Sequence, residues 1–262
     1  MKILIISDLD GTLLNTDIHP VEVPEELKDA IVSFMEEGNF FTIATGRTPK
    51  TLLPFLKEIP INVPFICSNG GWVQSPEGEI LERATIPKDL IKYFYKETDL
   101  DVLFFTEDKI YFREKNEWTE KYKKKEETEV WPFPEGEENE IIKILLVGEE
   151  EKLKKYYNEQ DPRVHENLHS LVSESYYLEI IPKGICKGFG VERLLDHLGE
   201  EVRTVAIGNQ MNDVAMLQRA DEGYCVNNAA ENVRKMGFSI THGSYSAGVL
   251  EILEKYSNKK AR

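Results

Sequence analysis

The chain has 262 residues, 41% of them hydrophobic, enough to bury a core in one large domain or two modest ones. Its formal net charge of -15 sets it against nucleic-acid backbones, so nucleic acid is not an expected partner. No apolar run approaches the roughly 20 residues that cross a bilayer, and the opening stretch Ile3 to Ile6 is too short for a secretory signal. Cys67, Cys186 and Cys225 form no C-x-x-C pair, so reduced thiols and a cytoplasmic location are expected, with neither disulfides nor zinc.

Lys2 to Ser7 is a continuous apolar run that stops at Asp8-Leu9-Asp10-Gly11, the pattern of a strand buried on both faces with two carboxylates at its C-terminal end. Leu27, Ile31, Phe34 and Met35 recur at helical spacing from Pro24 to Glu37, and Gly38 offers a stop. A strand from Phe40 to Ala44, a helix from Pro49 to Glu58 and a strand from Phe65 to Cys67 come next, the last leading into Ser68-Asn69-Gly70-Gly71. Strands alternating with helices build a parallel sheet.

The pattern changes after Glu82. Apolar and alternating runs at Val102 to Thr106, Ile110 to Arg113, Ile141 to Val147 and Tyr177 to Ile181 accompany two helices, Lys88 to Glu97 and Glu149 to Asn158, which predicts an α+β insert. Lys121 to Lys125, followed by Glu126 and Glu127, reads as a solvated helix face, and Trp131 to Asn139 as an exposed loop. From Lys187 the alternation returns, with a helix to Leu198, a strand Thr204 to Ile207, a helix after Asp213, a strand Tyr224 to Val226, a helix from Ala229 and a last helix Ser246 to Tyr256. The fold class is therefore α/β, a doubly wound, Rossmann-like parallel core sheet of residues 1–82 and 183–262, with an inserted α+β cap of residues 83–182.

In open parallel sheets ligands bind beyond the carboxyl ends of the strands. There the sequence places Asp8 and Asp10, then Thr45-Gly46-Arg47, then Gly208-Asn209-Gln210-Met211-Asn212-Asp213. Carboxylates and amide oxygens are hard ligands suited to magnesium, while a hydroxyl, backbone amides and a lysine suit phosphate oxygens. The set describes a metal-assisted phosphoryl-transfer site.

Asp8-Leu9-Asp10-Gly11-Thr12-Leu13 resembles the first motif of the haloacid dehalogenase superfamily, Thr45-Gly46-Arg47 its second, Lys187-Gly188 its third and Gly208 to Asp213 its fourth. The insert between the second and third, with Ser68-Asn69-Gly70, Asn228-Ala229 and Gly248-Val249, is similar to the Cof-type sugar-phosphatase branch. The resemblance implies an enzyme, a phosphatase of small soluble phosphate monoesters, in which Asp8 attacks phosphorus and Asp10 acts as acid and then base. Thr45 and Lys187 would complete the catalytic set. Phosphate would be bound by Asp8, Gly11, Thr45, Gly46, Lys187 and Asn212, and magnesium by Asp8, Asp10, Asn209 and Asp213. A monomer or small homo-oligomer is expected, with the cap choosing the substrate. The fourth motif usually opens with Gly-Asp, so Asn209 removes one carboxylate and weaker magnesium binding follows.

Other readings exist for the same residues. Asp8 and Asp10 would repel each other if they merely ended a strand. Thr45 suits a helix cap, as do Asn212 and Asp213, and Lys187 a surface lysine, though at a helix start it would oppose the dipole. Asn69 suits either phosphate-loop ordering or a turn of positive φ. Arg47 fits an ion pair as well as a substrate contact and is left out of the catalytic set. His165, His169 and His242 lack ligand spacing. Relatives with the same site also act as mutases or phosphotransferases, and a weakened phosphate-ester binding protein is the non-enzyme reading. No Walker string occurs.

Overall fold

The computed structural model describes residues 1–18, 20–126, 128–134 and 140–257, without the side chains of Ser173 and Glu174. It falls into two units, one of Met1–Arg47, Leu52–Glu82 and the chain from Cys186 onward, the other of Thr48–Thr51 and Arg83–Ile185.

In chain order the first unit contributes β1 (Lys2–Ser7), α1 (Glu25–Glu36), β2 (Phe40–Ile43), α2 (Pro49–Leu56, whose first residues group with the other unit), β3 (Phe65–Cys67), β4 (Trp72–Gln74) and β5 (Ile80–Arg83). The second unit contributes α3 (Lys88–Lys96), β6 (Asp101–Phe105), β7 (Ile110–Phe112), α4 (Glu117–Lys125), β8 (Trp131–Pro132), β9 (Lys143–Val147), α5 (Glu150–Asn158), α6 (Pro162–Asn167), β10 (Leu168–Glu174) and β11 (Tyr177–Pro182). The chain returns to the first unit with α7 (Lys187–Leu198), β12 (Val202–Gly208), α8 (Val214–Arg219), β13 (Glu222–Cys225), α9 (Glu231–Arg234), β14 (Ser239–Ile240) and α10 (Ser246–Tyr256).

The apolar run at the N-terminus becomes an inner strand. In the parallel sheet the order is β14-β13-β12-β1-β2, and Leu4, Ile5 and Ile6 have no exposed surface. Because side chains alternate along a strand, a run buried at every position requires cover on both faces. Leu4 and Ile6 join Ala44, Ile66, Val191, Leu194 and Ala206 in one core cluster, while α1 and α10 pack together against β1 and β2. Each such fully buried aliphatic side chain contributes about 1.5–3 kcal/mol. The sheet's right edge is extended by a backbone bridge from Ala44 to Ile66, and β3, β4 and β5 form a small separate sheet. The Trp72 to Arg83 hairpin was not foreseen, because its strands are short and interrupted by Ser75-Pro76-Glu77-Gly78.

The second unit is a six-stranded sheet in the order β10-β11-β9-β6-β7-β8, antiparallel except for the β7–β8 pair. Its core joins Leu90 and Phe94 of α3, Val102 and Phe104 of β6, Ile144 and Leu146 of β9, and Leu178 and Ile180 of β11. Tyr122 of α4 is buried while Lys121, Lys124 and Lys125 are exposed, as a solvated helix face requires. Two departures from the sequence reading stand out. Trp131 and Pro132 form a two-residue strand beside Tyr111 and Phe112 where a loop was expected, and residues 135–139 of that stretch lie outside the described residues. The polar segment holding His165 and His169 is α6 and β10, with His165 and His169 both exposed. Asp161 caps α6 by accepting from the Arg163 N–H at 2.8 Å, and the edge strand β10 shows little apolar alternation to announce it. Among the described residues no helix is long and apolar enough to cross a membrane.

Candidate active site

Parallel registration brings the sequence-distant carboxylates and amides to one end of the sheet. Ser7 lies beside Ile207 of β12 on one side and Ile43 of β2 on the other, so Asp8, Asn209 and Thr45 all follow just beyond the strands. The Asp8 N–H still donates to Ile207 O at 2.8 Å, which fixes the residue as the strand's last rung.

Lys187 stands at the centre. It opens α7, has no exposed surface, and its Nζ donates to Asp8 Oδ1 and Asp213 Oδ1, each at 2.6 Å. A cation at a helix start is opposed by the dipole, and the two carboxylates supply the compensation. It is therefore not a surface lysine. The other oxygen of Asp213 accepts the backbone N–H groups of Asn209 and Gln210, each at 2.8 Å, and so folds the loop after β12. Both Asp213 oxygens are thereby taken up, by the lysine and by the loop.

Burial, followed by the neighbouring Asp213, pushes the Asp8 carboxyl up to about 7 against the pull of Lys187. Burial alone would lower Lys187, but Asp213 and Asp8 outweigh it and hold the ammonium above its ordinary value. The cluster thus carries one shared cation for two buried carboxylates.

Thr45 is fully buried, and its Oγ1 accepts the Arg47 N–H at 3.1 Å, leaving the hydroxyl proton to donate elsewhere. This is a bond within its own loop, four residues ahead of α2, rather than a cap of that helix. Arg47 makes a two-pronged ion pair with Asp10, with distances from 2.7 to 3.1 Å, and its guanidinium lies 4.5 Å from the Phe55 ring centroid. Gly11 has φ +80°, a backbone that favours glycine, and its Cα faces the Asn209 side chain. Asn228, given no role by the sequence reading, donates to Gly11 O at 2.8 Å and accepts from the Tyr245 N–H at 2.9 Å. Its signals in the sequence are the Asn228-Ala229 pair that the resemblance includes and its position, since it follows the C-terminal end of β13 as the other site residues follow theirs.

Residues 5–253 match the family described as haloacid dehalogenase-like hydrolase. The chain belongs to the haloacid dehalogenase-like hydrolases. It is 28% identical over 236 residues to an Escherichia coli HMP-PP phosphatase, covering 87% of this chain and 85% of that protein. It is 24% identical over 265 residues to the Bacillus subtilis 5-amino-6-(5-phospho-D-ribitylamino)uracil phosphatase, covering 97% of each. A haloacid dehalogenase-like hydrolase from Bacteroides thetaiotaomicron superposes with a TM-score of 0.86 at 25% identity, over 98% of this chain and all of that one. The family and its named relatives make the chain an enzyme of the phosphatase kind.

The donor set of this haloacid dehalogenase-like site fits a hard divalent cation. Asp8 Oδ2 and Asn209 Oδ1 are both buried and lack hydrogen-bond partners, and they emerge from adjacent, registered strands. Buried oxygens are rarely left unpaired. Magnesium needs few protein ligands, because it keeps several waters and takes phosphate oxygens.

Proposed function

We propose that the protein is a magnesium-dependent phosphatase of small soluble phosphate monoesters, sugar phosphates or similar, working through an aspartyl phosphate on Asp8. The observation that carries this is the buried Lys187 joining Asp8 and Asp213 at 2.6 Å each while Asp8 Oδ2 stays unpaired. Buried carboxylate oxygens in a purely structural ion pair are rarely left without a partner. The similarity to the Escherichia coli HMP-PP phosphatase and to the Bacillus subtilis 5-amino-6-(5-phospho-D-ribitylamino)uracil phosphatase supports a small phosphorylated substrate.

Asp8, Asn209 and the Asp10 backbone carbonyl would hold the magnesium, with Asp213 one step back, anchoring the loop and Lys187. The metal, when bound, neutralises phosphate charge that would repel a carboxylate. The Asp8 carboxylate attacks phosphorus, the ester P–O bond breaks, and a protonated Asp10 gives its proton to the leaving oxygen. Water then attacks the aspartyl phosphate, returns a proton to Asp10, and releases phosphate with Asp8 restored. The Thr45 hydroxyl and Lys187 ammonium stabilise the transferring oxygens. Asp10 is paired with Arg47 in this structure, so its acid role requires that pairing to open when substrate arrives.

The purified protein with magnesium is expected to release inorganic phosphate from members of a panel of sugar phosphates, pyridoxal phosphate, flavin mononucleotide and nucleotides. No release from any of them would sink the reading. Asp10→Asn should cost far more on alkyl phosphates, whose leaving oxygen needs a proton, than on activated aryl phosphates. Equal losses on the two classes, measured as kcat/KM, would remove the acid role.

Asn209→Asp replaces a neutral ligand with a charged one in a desolvated site, where Coulomb attraction exceeds its value in water. The magnesium concentration for half-maximal activity is expected to fall roughly tenfold, equivalent to about 1.4 kcal/mol. Calorimetric magnesium titration should show the same shift. An unchanged midpoint would place Asn209 outside the ligand set.

A further inference from the structure

Ser68 and Asn69 are consecutive non-glycine residues with φ 51° and 54°, immediately after β3. Asn is one of the few residues that adopts this left-handed backbone routinely, Ser much less so. Both are buried, at 1% and 4% exposure, so the turn is not a solvent-facing bend. Strain at a buried, well-bonded turn is sustained only where the surrounding structure over-determines it.

The turn touches three segments of the candidate site, those of Thr45–Arg47, Cys186–Lys187 and Asn212. The Ser68 N–H donates to Arg47 O at 2.7 Å and the Asn69 N–H to Thr45 O at 3.1 Å, which holds the Thr45–Arg47 loop through its own backbone. A Cβ on Gly46 would stand 3.2 Å from Asn69 Oδ1, so the Asn69 amide lies directly against that glycine. A Cβ on Gly70, whose φ is +97°, would stand 2.0 Å from Cys186 O, the residue just before Lys187. Finally, Asn69 Oδ1 accepts from Asn212 Nδ2 at 3.0 Å.

We propose that Asn69 is a positioning residue for phosphate binding, acting through Asn212. A primary amide has two N–H donors and one carbonyl, and it presents a different face if it rotates by half a turn. With one Asn212 N–H committed to Asn69 Oδ1, the second N–H and the Asn212 carbonyl have fixed directions, and the phosphate-binding donor is set before the ligand arrives. The left-handed backbone of Asn69 aims its side chain between Gly46 and Asn212, which explains an asparagine where glycine alone would satisfy the turn. The proposal rests on the reading of Asn212 as a phosphate-binding residue.

Asn69→Gly separates the two explanations. Glycine takes φ 54° without steric cost, so the fold survives and only the side chain is lost. The melting temperature should hold, while the inhibition constant for inorganic phosphate and KM should rise by about tenfold, more than kcat falls. In a double-mutant cycle, adding Asn69→Gly to Asn212→Ala should weaken phosphate inhibition little further, because the two act as a unit. Unchanged phosphate inhibition in Asn69→Gly, or additive losses in the cycle, would overturn the proposal. If Asn212→Ala alone leaves phosphate inhibition intact, the assignment of Asn212 fails instead, and the positioning role falls with it. A wild-type protein inhibited by phosphate but insensitive at Asn69 would leave the phosphatase reading standing and refute only this step.

Discussion

Asp8→Asn is expected to lower turnover by about three orders of magnitude or more while leaving the fold intact. The amide matches the carboxylate in shape but does not attack phosphorus, so the covalent step is lost at its origin. Lys187 keeps its bond to Asp213 and can donate to the amide oxygen, so the buried centre stays connected. Stability should move the other way. The Asp8 carboxyl, normally near 3.8, is pushed up to about 7 by burial and by Asp213. A folded-state value above the unfolded one means the fold holds the proton more tightly, so for this group stability is greatest at acid pH and is lost as pH rises through the folded value. In metal-free protein the variant's advantage should therefore grow between about pH 4 and pH 7 and then level off. Single-turnover phosphate release, with thermal melts in chelator at pH 5 and pH 8, reads both effects. Comparable turnover in the variant would remove the central claim, and a melting advantage confined to acid pH would show that the Asp8 environment is not as described.

Strong local signals carried most of the core into view. The β1 run is apolar from Ile3 to Ile6 and is followed by Asp8 and Asp10, so both its place inside a sheet and its functional end can be read directly. The same holds for β12 and the loop after it. What stayed hidden depends on partners remote in sequence. In the sequence Arg47 is an ambiguous cation, because only the fold shows that Asp10 is its partner. Asp213 reads in the sequence as one of the metal candidates, and only the fold shows its three donors, Lys187 Nζ and the N–H groups of Asn209 and Gln210. The Asn69 ambiguity had the same origin, since a turn that needs positive φ and a side chain that meets Asn212 write the same residue into the sequence. In the second unit, α6 and β10 escaped notice because their polar residues face outward and Val164 and Leu168 alone mark the buried side at that junction.

Lys187→Met should produce the largest loss of stability of any single change at the site. Methionine is close in length and apolar, so the substitution keeps the packing of a residue with no exposed surface but removes its charge. Asp8 and Asp213, now facing each other without their shared cation, would be buried charges without compensation. Breaking such a pair costs about 3–5 kcal/mol, more than the cost of never having built it. Asp213 also organises the Asn209 and Gln210 N–H groups, so its protonation or displacement would loosen the loop that carries Asn209 and Asn212. Turnover should fall with it, because the transferring oxygens lose a cation that no other residue bonded to Asp8 or Asp213 supplies among the described residues. The pH dependence identifies the cause. Without Lys187 the Asp8 carboxyl moves further above its ordinary range, and its protonation relieves the repulsion from Asp213, so the deficit relative to wild type should be smallest near pH 5 and larger at pH 8. Magnesium, bringing positive charge to the same carboxylates, should restore more stability to the variant than it adds to wild type. Denaturant melts of both proteins at the two pH values, with magnesium and with chelator, measure all of this. A deficit below about 1 kcal/mol, or one that is the same at both pH values, would mean that Asp8 and Asp213 are not held together as buried charges by this lysine.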